Sequence, residues 1–138
     1  CCALFPMPFR IHYCASKAAV SMLTYGLKME LLNAKIDVTV INPGDVKTNF
    51  INTRVKNFDT NEKYGERIKN AQSLVDKNND RRMTTEYAAN KIFKIANKKQ
   101  MKAMYIIGRK YKIFNFFLKI FPINLFLKVL NKIFGGKN

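Results

Sequence analysis

The chain has 138 residues, of which 48% are apolar, and it carries 25 Lys and Arg against 9 Asp and Glu, a net charge of +16. That length and apolar content suit one domain with a buried core and exclude a disordered tail. Three cysteines, two of them adjacent, exclude a disulfide framework, and the single histidine, His12, belongs to no metal-ligand spacing.

Residues 1–12 read as a loop, because Pro6-Met7-Pro8 cannot continue a helix. A helix is predicted from about Tyr13 to Leu32, rich in Ala, Leu and Met. Val20, Leu27 and Leu31 continue from the side of Tyr13 and Lys17, while Ala18, Met22 and Met29 lie around the cylinder. A helix apolar on two sides is expected to be buried on two sides, one against a sheet and one against a partner subunit. Ile36 to Ile41 is β-branched and predicts a strand, stopped by Asn42-Pro43-Gly44. Helix followed by strand suggests an α/β unit with a parallel sheet, whose ligands bind beyond the carboxyl ends of the strands. That rule points to Asn42–Thr48 as a ligand site.

Residues 50–83 are polar and charged and predict a mobile excursion. Thr84-Thr85-Glu86 then starts a helix to about Lys98, with Thr84 or Thr85 as N-cap and an apolar stripe of Ala88, Ala89, Ile92, Phe93, Ile95 and Ala96. Met104 to Ile107 predicts a second strand, closed by Gly108. From Tyr111 to Phe134 apolar and polar residues alternate at helical spacing on both sides of Pro122, which predicts two short amphipathic helices. The division expected is therefore an α/β unit over 1–110 and a basic amphipathic helical tail over 111–138.

Charge is uneven along the chain. Residues 1–48 sum to +2 and residues 49–101 to +6, whereas residues 102–138 hold eight bases and no acid. A basic end of this kind implies an anionic partner. Neither half of the tail reaches the ~20 residues of a membrane span, and no nucleic-acid recognition motif is present. A pair of helices lying in an anionic membrane interface fits residues 112–138; packing over a substrate cleft or a neighbouring subunit is the other reading.

The pair Tyr13 and Lys17 carries the chemistry. Four residues make about one helical turn, so phenol and ammonium share a helix face. A nearby ammonium favours phenolate, and a tyrosine tuned in this way can pass a proton to or from a substrate oxygen near neutral pH. The spacing alone arises often by chance. Ser16 reads as a helix residue rather than a nucleophile, and Cys14 as core or site wall.

Pro6-x-Pro8, then Tyr13-Cys14-Ala15-Ser16-Lys17, then Asn42-Pro43-Gly44-Asp45-Val46-Lys47-Thr48 about thirty residues from the tyrosine, together resemble the short-chain dehydrogenase/reductase family. The resemblance is sharpest over residues 6–50. It implies an α/β, doubly wound parallel-sheet fold of Rossmann type, with residues 1–110 the C-terminal part of its nucleotide-binding domain. It also implies an NAD- or NADP-dependent oxidoreductase that interconverts a carbonyl and an alcohol, with a homo-oligomeric assembly. Tyr13 would be the acid and base, and Lys17 would assist it and bind the nicotinamide ribose. Pro43, Gly44, Val46 and Thr48 would line the cofactor. The family's catalytic serine would fall one position ahead of Cys1, and its Gly-rich phosphate loop is not among these residues. The 138 residues alone are therefore expected to be a piece that neither binds the dinucleotide tightly nor turns over. A hydrophobic carbonyl or alcohol substrate follows from the apolar tail. The cysteine usage fits a reducing, cytoplasmic setting, and the basic amphipathic tail fits a place at the membrane periphery. The rival reading is a non-catalytic, membrane-peripheral binding protein on the same fold.

Overall fold

The computed structural model describes residues 2–48, 67–69, 71, 73 and 82–134. The excursion expected over 50–83 lies almost wholly outside them. Helix α1 spans Ile11–Glu30. It begins two residues ahead of Tyr13 because the chain turns at Phe9, which has φ 61°, with the Arg10 N–H donating to Met7 O at 3.1 Å. It ends in a 3-10 turn, Leu32–Ala34, and a left-handed Lys35. Strand β1 spans Val40–Pro43, helix α2 Thr85–Ala96 and strand β2 Met104–Ile107. Helices α3, Arg109–Ile120, and α4, Ile123–Phe134, form the tail.

β1 and β2 pair in parallel, Val40 against Met104 through Pro43 against Ile107. Parallel neighbours need a crossover, and α2 lies within it, making a βαβ unit. The architecture is α/β with a parallel sheet, as the sequence implies.

The strand sits later than expected, at 40–43 instead of 36–41. Ahead of Val40 the opposing segment is no longer extended, and side chains replace the ladder. Thr39 Oγ1 donates to Lys102 O at 2.7 Å, and Asp37 accepts from the Met101 N–H and from Lys28 Nζ. At the other end Gly44 N still donates to Ile107 O at 2.9 Å. Proline is tolerated at Pro43 because the strand ends there.

Among the described residues the sheet side of α1 is the one that is covered; a partner subunit against the other side stays an expectation. Only Cys14 and Ser21 are buried, while Val20, Met22, Leu23 and Met29 are exposed. The sheet side is met by Tyr25, whose Oη donates to Met104 Sδ at 3.4 Å. The expected stripe on α2 is partly covered among the described residues. Ala88 and Ile95 are buried, and Ala89, Ile92, Phe93 and Ala96 are exposed. The cap is as expected, with Thr84 Oγ1 accepting from Tyr87 N at 3.2 Å and Glu86 in the first turn. Such caps contribute about 1 kcal/mol.

The tail breaks at Pro122, whose missing N–H ends α3 and whose carbonyl accepts from Leu125 N and Phe126 N to start α4. It folds back on the start of the chain. Phe126 and Leu130, the latter 2% exposed, form a core with Phe5, and Leu4, Met7, Phe114 and Leu118 pack around it. The rings meet edge to face, Phe5 and Phe114 at 4.9 Å and Phe114 and Phe126 at 5.0 Å. Among the described residues no helix is long and apolar enough to cross a membrane.

Asp37 ties the end of α1 to the loop before β2. Its carboxyl is held below the usual carboxylate range, first by the hydrogen bond from Lys28 and then by the Met101 N–H. A depressed folded pKa stabilises above the unfolded pKa, and the contribution is lost as pH falls through the folded value. Asp37→Asn is therefore expected to unfold more readily than the parent near neutrality, with the difference closing as pH falls below the carboxylate range. Denaturant midpoints across that range check it, and a pH-independent difference would contradict the assignment.

Candidate active site

Helix α1 delivers Tyr13 and Lys17 together near its amino end. Both are exposed, Tyr13 by 52%, and Lys17 Nζ lies 5.4 Å from the Tyr13 ring centroid. The helix period alone produces this contact. Ser16 Oγ donates back to Tyr13 O at 2.8 Å, the behaviour of a helix serine rather than a nucleophile. Cys14 points the other way, into the interior, and Cys2 lies near it with its thiol pushed up by burial. His12 is exposed beside the pair.

The second part of the site is the loop leaving β1. Asn42 is buried, Pro43, Gly44 and Val46 are half-buried, and Thr48 is exposed. Backbone bonds hold the loop in extended form: Met83 N donates to Asp45 O at 3.0 Å, and Lys47 N donates to Met83 O at 2.9 Å. Val46 thereby pairs with Met83 in a parallel bridge. Since α1 packs on β1, the Tyr13 helix and the Pro43–Thr48 loop belong to one packed unit.

Tyr111, in the first turn of α3, is the residue that sequence reading missed. Its ring lies on Gly44 so closely that a Cβ there would meet the ring carbons at 2.3 and 2.4 Å. Its Oη donates to Asp45 Oδ2 at 2.6 Å. Burial first, then the bond to the Asp45 carboxylate, pushes its phenol well above the usual range, so it stays a donor. Gly108 makes the approach possible. It has φ 111°, a conformation that side-chain-bearing residues rarely adopt, and a Cβ there would crowd the same ring at 3.1 Å. The only cue in the sequence is a tyrosine three residues after a glycine.

The donor set fits a nicotinamide nucleoside. A phenol and an ammonium stand one turn apart and open to solvent, with an open hydroxyl at Thr48 and half-buried backbone at Pro43 and Val46. Gly44 differs from the other expected residues, because its missing Cβ makes room for Tyr111.

A family model described as short chain dehydrogenase matches residues 2–59, which contain both the Tyr13–Lys17 turn and the Pro43–Thr48 loop. Over 125 residues, 87% of the chain, it is 30% identical to a Bacillus subtilis protein named uncharacterized oxidoreductase YusZ, covering 45% of that relative. Over 117 residues, 84% of the chain, it is 29% identical to the probable short-chain type dehydrogenase/reductase VdlC of Helicobacter pylori, covering 43% of it. The chain thus spans a little under half the length of these curated relatives. The family match, the two relatives and the parallel βαβ unit together support membership of the short-chain dehydrogenase/reductase family.

Proposed function

We propose that the protein to which these residues belong is an NAD- or NADP-dependent oxidoreductase that interconverts a carbonyl and an alcohol. The contact between the exposed Tyr13 phenol and the Lys17 ammonium carries this reading, on a helix packed beside the strand that ends at Pro43. The printed names of the relatives, an oxidoreductase and a dehydrogenase/reductase, support it.

A bound nicotinamide supplies or accepts the hydride. In the reducing direction Tyr13 Oη gives its proton to the substrate oxygen; in the oxidising direction it takes the proton from the alcohol. Lys17 donates to the ribose hydroxyls and keeps a positive charge beside the phenol. Pro43, Val46 and Thr48 hold the carboxamide side, and Gly44 and Asp45 are fixed from behind by Tyr111. The substrate is a hydrophobic carbonyl or alcohol, a choice that rests on the apolar side chains of the tail. The 138 residues by themselves are expected to be inactive.

The test is cofactor oxidation by the full-length protein, followed by nicotinamide fluorescence with NADH or NADPH and a panel of apolar ketones and aldehydes. Oxidation that depends on the carbonyl is expected. Cofactor binding without turnover across the panel would overturn the enzyme and leave a non-catalytic binder on the same fold.

A further inference from the structure

Helix α3 carries two apolar stripes, and the fold uses only one. Tyr111, Phe114 and Leu118 follow one another at helical spacing and are half-buried, with Phe114 and Leu118 against the Phe5, Phe126 and Leu130 core. Ile113, Phe116, Phe117 and Ile120 follow the i, i+3, i+4, i+7 pattern on the opposite side and are between 43% and 59% exposed. Phe121, also exposed, extends the stripe by stacking on Phe117 at 5.6 Å, and Phe116 meets Phe117 at 6.1 Å. Single exposed hydrophobes are ordinary, whereas a contiguous aromatic stripe marks a surface that binds something.

Charge selects the occupant. Arg109, Lys110, Lys112 and Lys119 on the same helix are all exposed. At helical periodicity Lys112 and Lys119 fall along one margin of the outer stripe and Lys110 along the other. No Asp or Glu occurs anywhere in residues 102–138. On α4, Phe126 and Leu130 are buried while Asn124, Lys128, Asn131 and Lys132 are exposed, which adds further positive charge to the tail. An apolar strip without hydrogen-bonding groups, bordered by bases, matches acyl chains beneath anionic headgroups.

We propose that the outer face of α3 is a membrane-docking surface that lies in the interface of an anionic bilayer. Ile113, Phe116, Phe117 and Ile120 enter the acyl boundary, and Arg109, Lys110, Lys112 and Lys119 meet the lipid phosphates. The inner stripe stays in the protein core, so docking requires no unfolding of the tail. The proposal is independent of the hydride-transfer reading.

Flotation of the full-length protein with phosphatidylcholine vesicles, with and without phosphatidylserine, tests it. Binding is expected to the anionic vesicles and to weaken with salt. Phe116→Ser with Phe117→Ser is expected to reduce partitioning at least about tenfold, and each of Lys112→Gln and Lys119→Gln about fivefold, with unchanged melting temperatures. Should the phenylalanine variant melt lower than the parent, the lysine variants decide on their own. Equal partitioning of parent and lysine variants, or no partitioning onto anionic vesicles, would overturn the proposal. So would a dimer in the absence of lipid that the Phe117 substitution dissociates, since the face would then belong to a second copy of the chain.

Discussion

Tyr13→Phe in the full-length protein is expected to lower turnover by about two to four orders of magnitude, the usual contribution of a positioned acid or base. The substitution removes one oxygen and keeps the ring, so the Lys17 contact, which is made to the ring, survives. Tyr13 is more than half exposed and lies early in a helix whose backbone bonds do not depend on its hydroxyl. Stability should therefore change by no more than about 0.5 kcal/mol. A loss of turnover with an unchanged melting temperature and unchanged cofactor affinity identifies the hydroxyl as the reacting group. Lys17→Met tests the second proposed role: if Lys17 holds the ribose, the substitution is expected to raise the cofactor KM as well as lower kcat. Near-normal turnover in Tyr13→Phe would sink the mechanism.

Gly44→Ala is expected to cost about 1–3 kcal/mol, the range for forcing a methyl into filled space. The obstacle is the Tyr111 ring, with Ile107 O at 3.2 Å closing the remaining direction. Backbone conformation is not the obstacle, since of the two glycines at this junction only Gly108 has the positive φ. The ring can yield only by giving up its bond to Asp45. The loop that carries Val46 and Thr48 then loses its support, and under the proposed function the cofactor KM of the full-length protein is expected to rise. A double-mutant cycle with Tyr111→Ala isolates the clash. Removing the ring should make the added methyl far less costly. If Gly44→Ala costs the same with and without Tyr111, the ring is not what keeps Gly44 a glycine.

Local features were legible and contacts were not. The two strands, the break at Pro122 and the Thr84 cap all rest on residues within a few positions of one another, and each was found close to its expected place. The β1 boundary moved by several residues because strand identity depends on the segment opposite, and at 36–39 that segment had turned away. For α1, periodicity shows which side chains seek cover, but cover comes from whatever surface the rest of the fold and its partners supply.

Helical spacing alone brings the Tyr13 phenol and the Lys17 ammonium together, because one turn of backbone fixes their separation whatever surrounds it. The order of Pro6, Pro8, Tyr13, Lys17 and Asn42–Thr48 along the chain was likewise enough to point to the family that the comparisons support. Only the tertiary structure seats Tyr111 on Gly44 and divides the residues of α3 into a stripe that is buried and a stripe that is not. Those outcomes depend on pairs such as Phe5 with Phe114 and Asp45 with Tyr111, far apart in the chain, whose meeting is decided by how the sheet and tail pack.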